Sequence, residues 1–254
     1  MAEPAAPDNT KTRQGERACD CFADSKTFFD KRFAENIFAL RQAYQKRYHF
    51  ALSCLTIKSD DTVADIGCAQ GGLLLICKKS NIKAYGIDFS HEALKVANRL
   101  GLDNVVCADA QKIPFSSNLF DKVLVLEILE VLQDKTSALE EIRRIAKADA
   151  TFYFEVRNGS FILRKPANLI SRIFNGIAKQ DKPQLLFNED PSCRQWPEIL
   201  RLCGYNIIRP VKSPVYIYYE NPVQFIKTIV IVLINYLFPA KYCFTLSFLC
   251  NKRR

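Results

Sequence analysis

Four carboxylates close four successive apolar segments of this sequence: Asp65, Asp88, Asp109 and Glu127. Short apolar runs of this kind are typical of buried parallel strands. Because ligands of open α/β sheets bind outside the carboxyl ends of the strands, we expect these acids to share one site. Carboxylates accept hydrogen bonds from hydroxyl and amino groups and favour a positively charged ligand. The pattern therefore predicts a site for a polar, cationic molecule.

Small residues follow the first of these acids, in the stretch T-V-A-D-I-G-C-A-Q-G-G at residues 62–72. Gly67, Ala69 and Gly71 leave no bulky side chain between the backbone and a ligand over the N-terminus of the next helix. Asp88, at the end of the second strand, is placed to accept hydrogen bonds from both hydroxyls of a ribose. Asp109, at the end of the third, is placed beside an adenine amine. Together they predict a ligand that contains adenosine.

The same turn also fits the dinucleotide fingerprint G-x-A-x-x-G, with Asp88 at a suitable distance downstream. A nicotinamide dinucleotide carries a pyrophosphate, however, and the neighbouring carboxylates would repel it. An acid two positions before Gly67 is also unusual in that fingerprint. Adenosine that carries a cationic sulfonium fits the acids better. An NAD(P)-binding oxidoreductase remains the alternative interpretation.

Segments with strand-like and helix-like patterns alternate along the chain. The predicted strands are 62–66, 84–87, 105–108, 122–126, 150–156, 205–211 and 242–250. The predicted helices between them are 71–80, 90–100 with Ser90 as its N-cap, 136–146 and 196–202. This alternation predicts a Rossmann-like, doubly wound α/β fold with a mostly parallel sheet.

The chain divides into a tail and a single domain. Residues 1–22 are mostly polar and begin with a Pro- and Ala-rich stretch, which predicts a disordered tail without a signal peptide. Residues 23–254 form the domain. Within it we expect a helical lid at 23–57, a ligand-binding core at 58–156, a substrate cap at 157–195 and the C-terminal part of the sheet at 196–254.

Composition indicates an ordinary globular protein. The 254 residues are 48% hydrophobic and 25% charged, enough for one large α/β domain with a full core. The net charge is +9, but Lys and Arg alternate with Asp and Glu and no nucleic-acid-binding motif accompanies them, so we expect no nucleic acid partner. The ten cysteines lie mostly singly in apolar segments, which predicts reduced thiols in a cytoplasmic protein and no metal site.

An apolar helix is predicted at 222–238, and the chain ends in the basic cluster 251–254. The uninterrupted apolar run covers only residues 229–234, whereas a membrane span needs about 20 residues. We therefore expect a helix that packs on the sheet. Peripheral membrane contact through this helix and the basic tail is the alternative.

The order and spacing of five segments carry a resemblance to a known family. They read V-A-D-I-G-C-A-Q-G, A-Y-G-I-D-F-S, C-A-D-A-Q-K-I-P-F, F-D-K-V-L-V-L-E-I-L-E-V-L and A-L-E-E-I-R-R-I-A-K. From about residue 46 to 211 the chain resembles class I S-adenosylmethionine-dependent methyltransferases of the small-molecule group that includes quinone-biosynthesis enzymes. The resemblance implies a seven-stranded sheet whose last strand runs antiparallel, and transfer of a methyl group to a small-molecule or lipid-like acceptor. The aromatic residues of the predicted N-terminal helices and the apolar helix at 222–238 favour an apolar acceptor.

The resemblance also implies roles for individual residues. Asp65, Gly67, Ala69 and Gly71 would shape the methionine side of the S-adenosylmethionine pocket. Asp88 and Phe89 would lie at the ribose, and Asp109 with Ala110 at the adenine. Glu127 would line the opening toward the methyl group, and Arg47 would bind the methionine carboxylate.

The sequence departs from the family pattern at two positions. Ala69 replaces the middle glycine of the first motif, and Val131 stands where many relatives have a histidine. The obvious general base is therefore missing, and Glu127 and His49 are the candidate catalytic residues, with Glu130 and Tyr153 as helpers. A catalytically silent protein that binds S-adenosylmethionine is the further alternative.

Overall fold

The computed structural model describes residues 26–34, 42–132, 134–159, 191–211 and 245–253. The predicted tail, most of the predicted cap and the predicted apolar helix at 222–238 lie outside these residues. Peripheral membrane contact through that helix therefore stays a prediction. Among the helices that the structure describes, none combines the length and apolar character that crossing a membrane requires.

Seven strands form one sheet in the order β3-β2-β1-β4-β5-β7-β6. They are β1 Thr62–Ile66, β2 Lys83–Asp88, β3 Val105–Cys107, β4 Phe120–Leu126, β5 Ala146–Arg157, β6 Tyr205–Val211 and β7 Thr245–Lys252. Strands β1 to β5 pair in parallel, and β7 lies antiparallel between β5 and β6. The predicted seven-stranded sheet with an antiparallel last strand is confirmed.

Helices cover both faces of this sheet. They are α1 Gln42–Ser53, α2 Gly72–Lys79, α3 His91–Arg99, α4 Lys135–Ile145 and α5 Gln195–Leu202. Residues 26–34, the N-terminal helical segment, are also helical. Ser90 caps α3 as predicted, because its side chain accepts a hydrogen bond from the amide of Ala93 at 3.1 Å.

The strands bury both faces, so each strand contributes alternate residues to two cores. On one face Ala64 and Ile66 of β1 pack with side chains of α4 and α5. On the other, Val63 packs with side chains of α1, α2 and α3, in a cluster that also contains Tyr153 of β5. The same alternation places Asp65 on the side of Val63 and Glu155 on the side of Tyr153. Two acids of neighbouring parts of the sheet therefore face helix α1.

Several strand boundaries differ from the prediction. Strand β5 begins at Ala146, directly after the end of α4, and not at residue 150. Strand β4 begins at Phe120, whose side chain is buried; its backbone pairs with Ala146, and a register shift in the ladder follows before Lys122. Here packing of the Phe120 ring extends the pairing beyond the residues that the apolar pattern marks. Strand β7 likewise continues to Lys252, because β6 and β5 both pair with its end.

Candidate functional site

A cavity of about 220 Å³ opens at the carboxyl ends of β1, β2 and β4. Its wall contains all four of the acids that the sequence singles out, Asp65, Asp88, Asp109 and Glu127. The other predicted ligand-binding residues on the wall are Arg47, Gly67, Ala69, Phe89 and Ala110. Gly71 is not on the wall, since it forms the N-cap of α2 behind the turn.

The turn after β1 is built from residues with left-handed backbone angles. Gly67 has φ +78°, Ala69 +48° and Gly71 +75°. The amides of Gly67 and Cys68 both donate to the carbonyl oxygen of Ile87 in β2, at 2.7 and 3.0 Å. A Cβ atom on Gly67 would lie 2.1 Å from Cγ2 of Ile128, so only glycine fits there. The turn is thereby held against both neighbouring strands.

The carboxylate of Asp88 is anchored by two backbone amides. Its Oδ2 accepts from the amide of Ala69 at 2.7 Å, and its Oδ1 accepts from the amide of Ser90 at 2.8 Å. Burial raises the pKa of Asp88 to about 6, although these two hydrogen bonds act in the opposite direction. Each oxygen keeps a second lone pair, which can accept a hydrogen bond from a ligand hydroxyl.

Asp65 is the other buried acid of the wall. Its side chain is 3% exposed and accepts no hydrogen bond from the part of the chain that the structure describes. Burial and the nearby charge of Asp88 raise the pKa of Asp65 to about 7, while Arg47 acts against that shift. A buried acid without a partner fits a site that a cationic ligand group completes.

Asp109 lies just after the end of β3, in a turn that its own side chain stabilises. Its Oδ1 accepts from the backbone amide of Gln111 at 2.8 Å, and the side-chain amide of Gln111 donates to both carboxylate oxygens at 3.2 Å. Gln111 also lines the cavity. The carboxylate is thus fixed in orientation and still has lone pairs for a ligand.

Arg47 of α1 is a largely buried cation on the wall of the site. Its Nε donates to Oε1 of Glu155 at 2.7 Å, and its Nη1 lies 3.5 Å from Oε2 of Glu127. Burial disfavours the charge, but the two glutamates outweigh it and hold the pKa of Arg47 above its usual range. Its Nη2 is buried and finds no hydrogen-bond acceptor among the described residues. An anionic ligand group would supply that acceptor.

Glu127 has a strained backbone at the edge of the cavity. Its φ is +54°, which is uncommon for a residue other than glycine. Its amide donates to the carbonyl oxygen of Glu155 at 2.7 Å, which fixes this conformation. The side chain keeps 34% of its surface exposed beside Arg47. Strain of this kind concentrates at functional sites, so Glu127 stays the candidate catalytic carboxylate.

The N-terminal helical segment packs over the side of the cavity that contains Asp88 and Phe89. The ring of Phe29 lies 5.7 Å from that of Phe89, edge to face. The hydroxyl of Ser90 donates to Oδ1 of Asp30 at 2.5 Å, and Phe29 itself lines the cavity. The contacts place these residues where the predicted lid would lie.

Neither histidine of the chain contributes to the wall. His49 is exposed on α1, and His91 is exposed at the start of α3. The structure therefore does not bring the candidate base His49 to the cavity. Of the two predicted helpers, Glu130 is buried and accepts hydrogen bonds from the amide and Nε of Arg157, and Tyr153 is buried below Glu155.

Sequence reasoning missed several residues of the site. Glu155, at 2% exposure, is the most informative of them. The signal was an acid inside the apolar strand sequence F-Y-F-E-V, since a glutamate there needs a buried partner. Further hydrophobic and aromatic residues of the wall were not assigned to the site from the sequence, because their spacing is also that of ordinary core residues. They are Phe29, Phe33, Tyr44, Tyr48, Leu126 and Leu132.

Comparison with known proteins gives the same picture of the central segment. Residues 64–154 match the profile of the family described as "Methyltransferase domain". The chain is 36% identical over 102 residues to ajmaline N-methyltransferase from Rauvolfia serpentina, covering 37% of this chain and 35% of that protein. It is 31% identical over 122 residues to cycloartenol-C-24-methyltransferase 1 from Oryza sativa subsp. japonica, covering 45% of this chain and 36% of that protein. The chain thus spans about a third of the length of these curated relatives.

Solved structures agree on the fold. One chain of the complex between the Haloferax volcanii Trm112 methyltransferase activator and the protein that it binds superposes with a TM-score of 0.63. The two chains are 20% identical, and the match covers 89% of this chain and 98% of that one. Residues 64–154 thus match the methyltransferase-domain family, and the chain as a whole shares the fold of that solved structure.

Proposed function

We propose that this protein transfers the methyl group of S-adenosylmethionine to a small-molecule or lipid-like acceptor. The observation that carries the proposal is the arrangement of charges in one cavity. Asp65, a buried acid that accepts no hydrogen bond from the described residues, and Arg47, a largely buried cation with an unfilled donor, line the same wall as Asp88. That set matches a ligand that carries an ammonium, a carboxylate and a ribose.

Different residues of the wall would bind different parts of the cofactor. Asp88, fixed by two amides, would accept hydrogen bonds from the ribose hydroxyls, and Asp109 with the Ala110 backbone would hold the adenine. Asp65 would take the ammonium of the methionine part, and Arg47 its carboxylate. Each assignment pairs opposite charges or a donor with an acceptor, so no buried polar group of this set is left without a partner.

The contribution of the chain to catalysis would be positioning. S-adenosylmethionine supplies a methyl group on a sulfonium, which a nucleophile can take by in-line displacement. Holding two reactants in the correct geometry lowers a barrier by about 7 to 11 kcal/mol in favourable cases. The left-handed turn at Gly67 and Ala69 lets the backbone approach the cofactor closely, and the apolar wall excludes water. This mechanism works without a histidine base.

The wall near Glu127 favours an apolar acceptor. Ile128, Val131 and Leu132 follow Glu127 on the cavity wall, with Phe33 from the N-terminal helical segment. A surface of this composition binds hydrocarbon better than a sugar. The names of the two curated relatives, ajmaline N-methyltransferase and cycloartenol-C-24-methyltransferase 1, are consistent with such an acceptor. Glu127 is the carboxylate that could receive a proton from it.

Calorimetric titration with S-adenosylhomocysteine tests the proposal, because this demethylated product of the cofactor binds without turnover. Wild-type protein should bind it at micromolar concentration. Asp88→Ala should weaken binding by about 10- to 100-fold, since the ribose loses charge-assisted hydrogen bonds. Asp103→Ala is the matched control, because Asp103 is exposed and does not line this cavity.

NADH is the discriminating ligand in the same experiment. Its pyrophosphate would lie beside the carboxylates, so we expect no binding. Binding of NADH without binding of S-adenosylhomocysteine would refute the methyltransferase proposal in favour of an oxidoreductase. Binding of S-adenosylhomocysteine without turnover on apolar amines, alcohols or alkenes would favour a silent protein.

A further inference from the structure

Two buried side chains and the largely buried Arg47 form a continuous hydrogen-bonded row that ends at the cavity wall. The hydroxyl of Tyr153 donates to Oε2 of Glu155 at 3.2 Å, and the Nε of Arg47 donates to Oε1 of the same carboxylate at 2.7 Å. Tyr153 and Glu155 belong to β5, whereas Arg47 belongs to α1, 108 residues away from Glu155. The contact therefore joins the first long helix to the centre of the sheet.

Because these side chains lie largely out of water, their hydrogen bonds are an inefficient way to stabilise the fold. Glu155 is 2% exposed and Tyr153 is 0% exposed. Removing two charges from water costs several kcal/mol per ion, and apolar side chains of similar size often stabilise a core at least as well. A buried ion pair at the wall of a ligand cavity therefore calls for a reason other than packing.

The geometry gives that reason. Of the three guanidinium nitrogens of Arg47, it is Nε, the inner one, that donates to Glu155, at 2.7 Å. Bonding at Nε fixes the plane and rotation of the planar guanidinium, because the group is rigid. Nη1 then lies beside Glu127, and Nη2 has no acceptor in the described part of the chain. The outer nitrogens of Arg47 therefore remain available to bind another anion.

We propose that Glu155, held by Tyr153, is the positioning residue that orients Arg47 toward the carboxylate of the methionine part of the cofactor. This inference rests on the proposed function. Glu155 does not touch the ligand and acts through Arg47. Tyr153 holds one oxygen of Glu155 so that the other meets Nε, and the raised pKa of Arg47 described above is consistent with a permanent charge at this place.

Two ligands that differ only in the amino-acid part test the proposal. S-adenosylhomocysteine carries the carboxylate, and methylthioadenosine has the same adenosine and thioether without it. Affinities are measured by calorimetry for wild type, Arg47→Lys, Glu155→Gln and Tyr153→Phe. Glu155→Gln keeps the shape and a hydrogen-bond acceptor, so the fold is retained while the charge is lost.

We expect the variants to lose affinity for S-adenosylhomocysteine but not for methylthioadenosine. Arg47→Lys should weaken S-adenosylhomocysteine by about 10- to 100-fold, Glu155→Gln by about 10-fold and Tyr153→Phe by about 3-fold. Methylthioadenosine should change by less than about twofold in all three variants. With an acceptor in hand, Glu155→Gln should raise KM for S-adenosylmethionine and change kcat little, because an orienting role acts on binding.

Glu141→Gln is the matched control, because Nε of Arg144 donates to Glu141 at the same distance, 2.7 Å, on the outer side of α4. It should leave both affinities unchanged. Equal loss for both ligands in Glu155→Gln, or no loss, would overturn the inference and leave the adenosine site intact. Wild-type protein that binds neither ligand would instead overturn the proposed function.

Discussion

The backbone amide of Ala69 donates a 2.7 Å hydrogen bond to the carboxylate of Asp88. This bond joins the turn after β1 to the acid that closes β2. Ala69 can point its amide at Asp88 because its φ is +48°, in the left-handed region. Such a conformation costs an alanine about 1 to 2 kcal/mol. The chain therefore keeps the geometry of a glycine turn without the glycine, and strain is stored where the ribose would bind.

Ala69→Gly should therefore stabilise the protein. Glycine adopts φ +48° without strain, and its greater freedom in the unfolded chain offsets only part of the gain. We expect the free energy of unfolding to rise by about 0.5 to 1 kcal/mol. Denaturant unfolding measures it, and titration should show affinity for S-adenosylhomocysteine that is equal or higher.

Asn81→Gly is the control for that substitution. Asn81 has a similar φ of +55° at an exposed position, but asparagine adopts the left-handed region readily. It should gain no stability. A destabilised Ala69→Gly protein would show that the methyl group of Ala69 contributes packing that exceeds the backbone strain.

Gly67→Ala should be much more harmful than an alanine at another left-handed glycine. At Gly67 the added Cβ would lie 2.1 Å from Ile128, whereas at Gly101, with the same φ of +78°, the nearest atom is 3.4 Å away. We expect a loss of about 2 to 4 kcal/mol for Gly67→Ala and about 1 to 2 kcal/mol for Gly101→Ala, from unfolding curves. The difference between the two losses measures the free-energy cost of the contact between the added Cβ and Ile128.

A second substitution checks the cause of that excess. Ile128→Ala removes the clashing Cγ2, so the double variant with Gly67→Ala should lose less than the sum of the two single losses. Additive losses would show that backbone strain, and not contact with Ile128, decides the cost.

The sequence predicted the sheet and the four acids because both follow from local patterns. Alternating segments mark the strands, and topology then brings Asp65, Asp88 and Asp109 to one edge. The contact between Arg47 and Glu155 could not be predicted in this way, since it joins residues 108 positions apart. Its only local trace is an acid inside an apolar strand. The early start of β5 was missed for a similar reason, because pairing with Phe120 fixes it.

The buried acid Asp65 should make stability depend on pH. Its folded pKa is about 7 and its ordinary value 3.8, so the folded state holds a proton that the unfolded state releases. That contribution is complete below about pH 4 and is lost as pH rises through 7. Asp65→Asn removes it, so relative to wild type the variant should gain on the order of 2 to 3 kcal/mol between about pH 5 and pH 8.

Asp121→Asn gives the opposite case in the same unfolding measurements. Burial acts to raise the pKa of Asp121, but the hydrogen bonds from Lys147 and Thr62 outweigh it and lower the pKa. Its stabilisation is present above the ordinary pKa and is lost as pH falls below about 4. Between about pH 5 and pH 8 the difference from wild type should therefore stay constant. A constant difference for Asp65→Asn as well would contradict the raised pKa of Asp65.

Binding of S-adenosylhomocysteine should release a proton from Asp65. An ammonium beside this carboxylate favours its charged form and lowers the pKa from about 7. Near pH 6.5 we therefore expect release of more than about half a proton per ligand, and affinity that rises with pH. Calorimetry in two buffers of different ionisation enthalpy measures the release. Asp65→Asn and methylthioadenosine, which lacks the ammonium, should each reduce it strongly, whereas equal binding enthalpies in both buffers for wild type would place the ammonium away from Asp65.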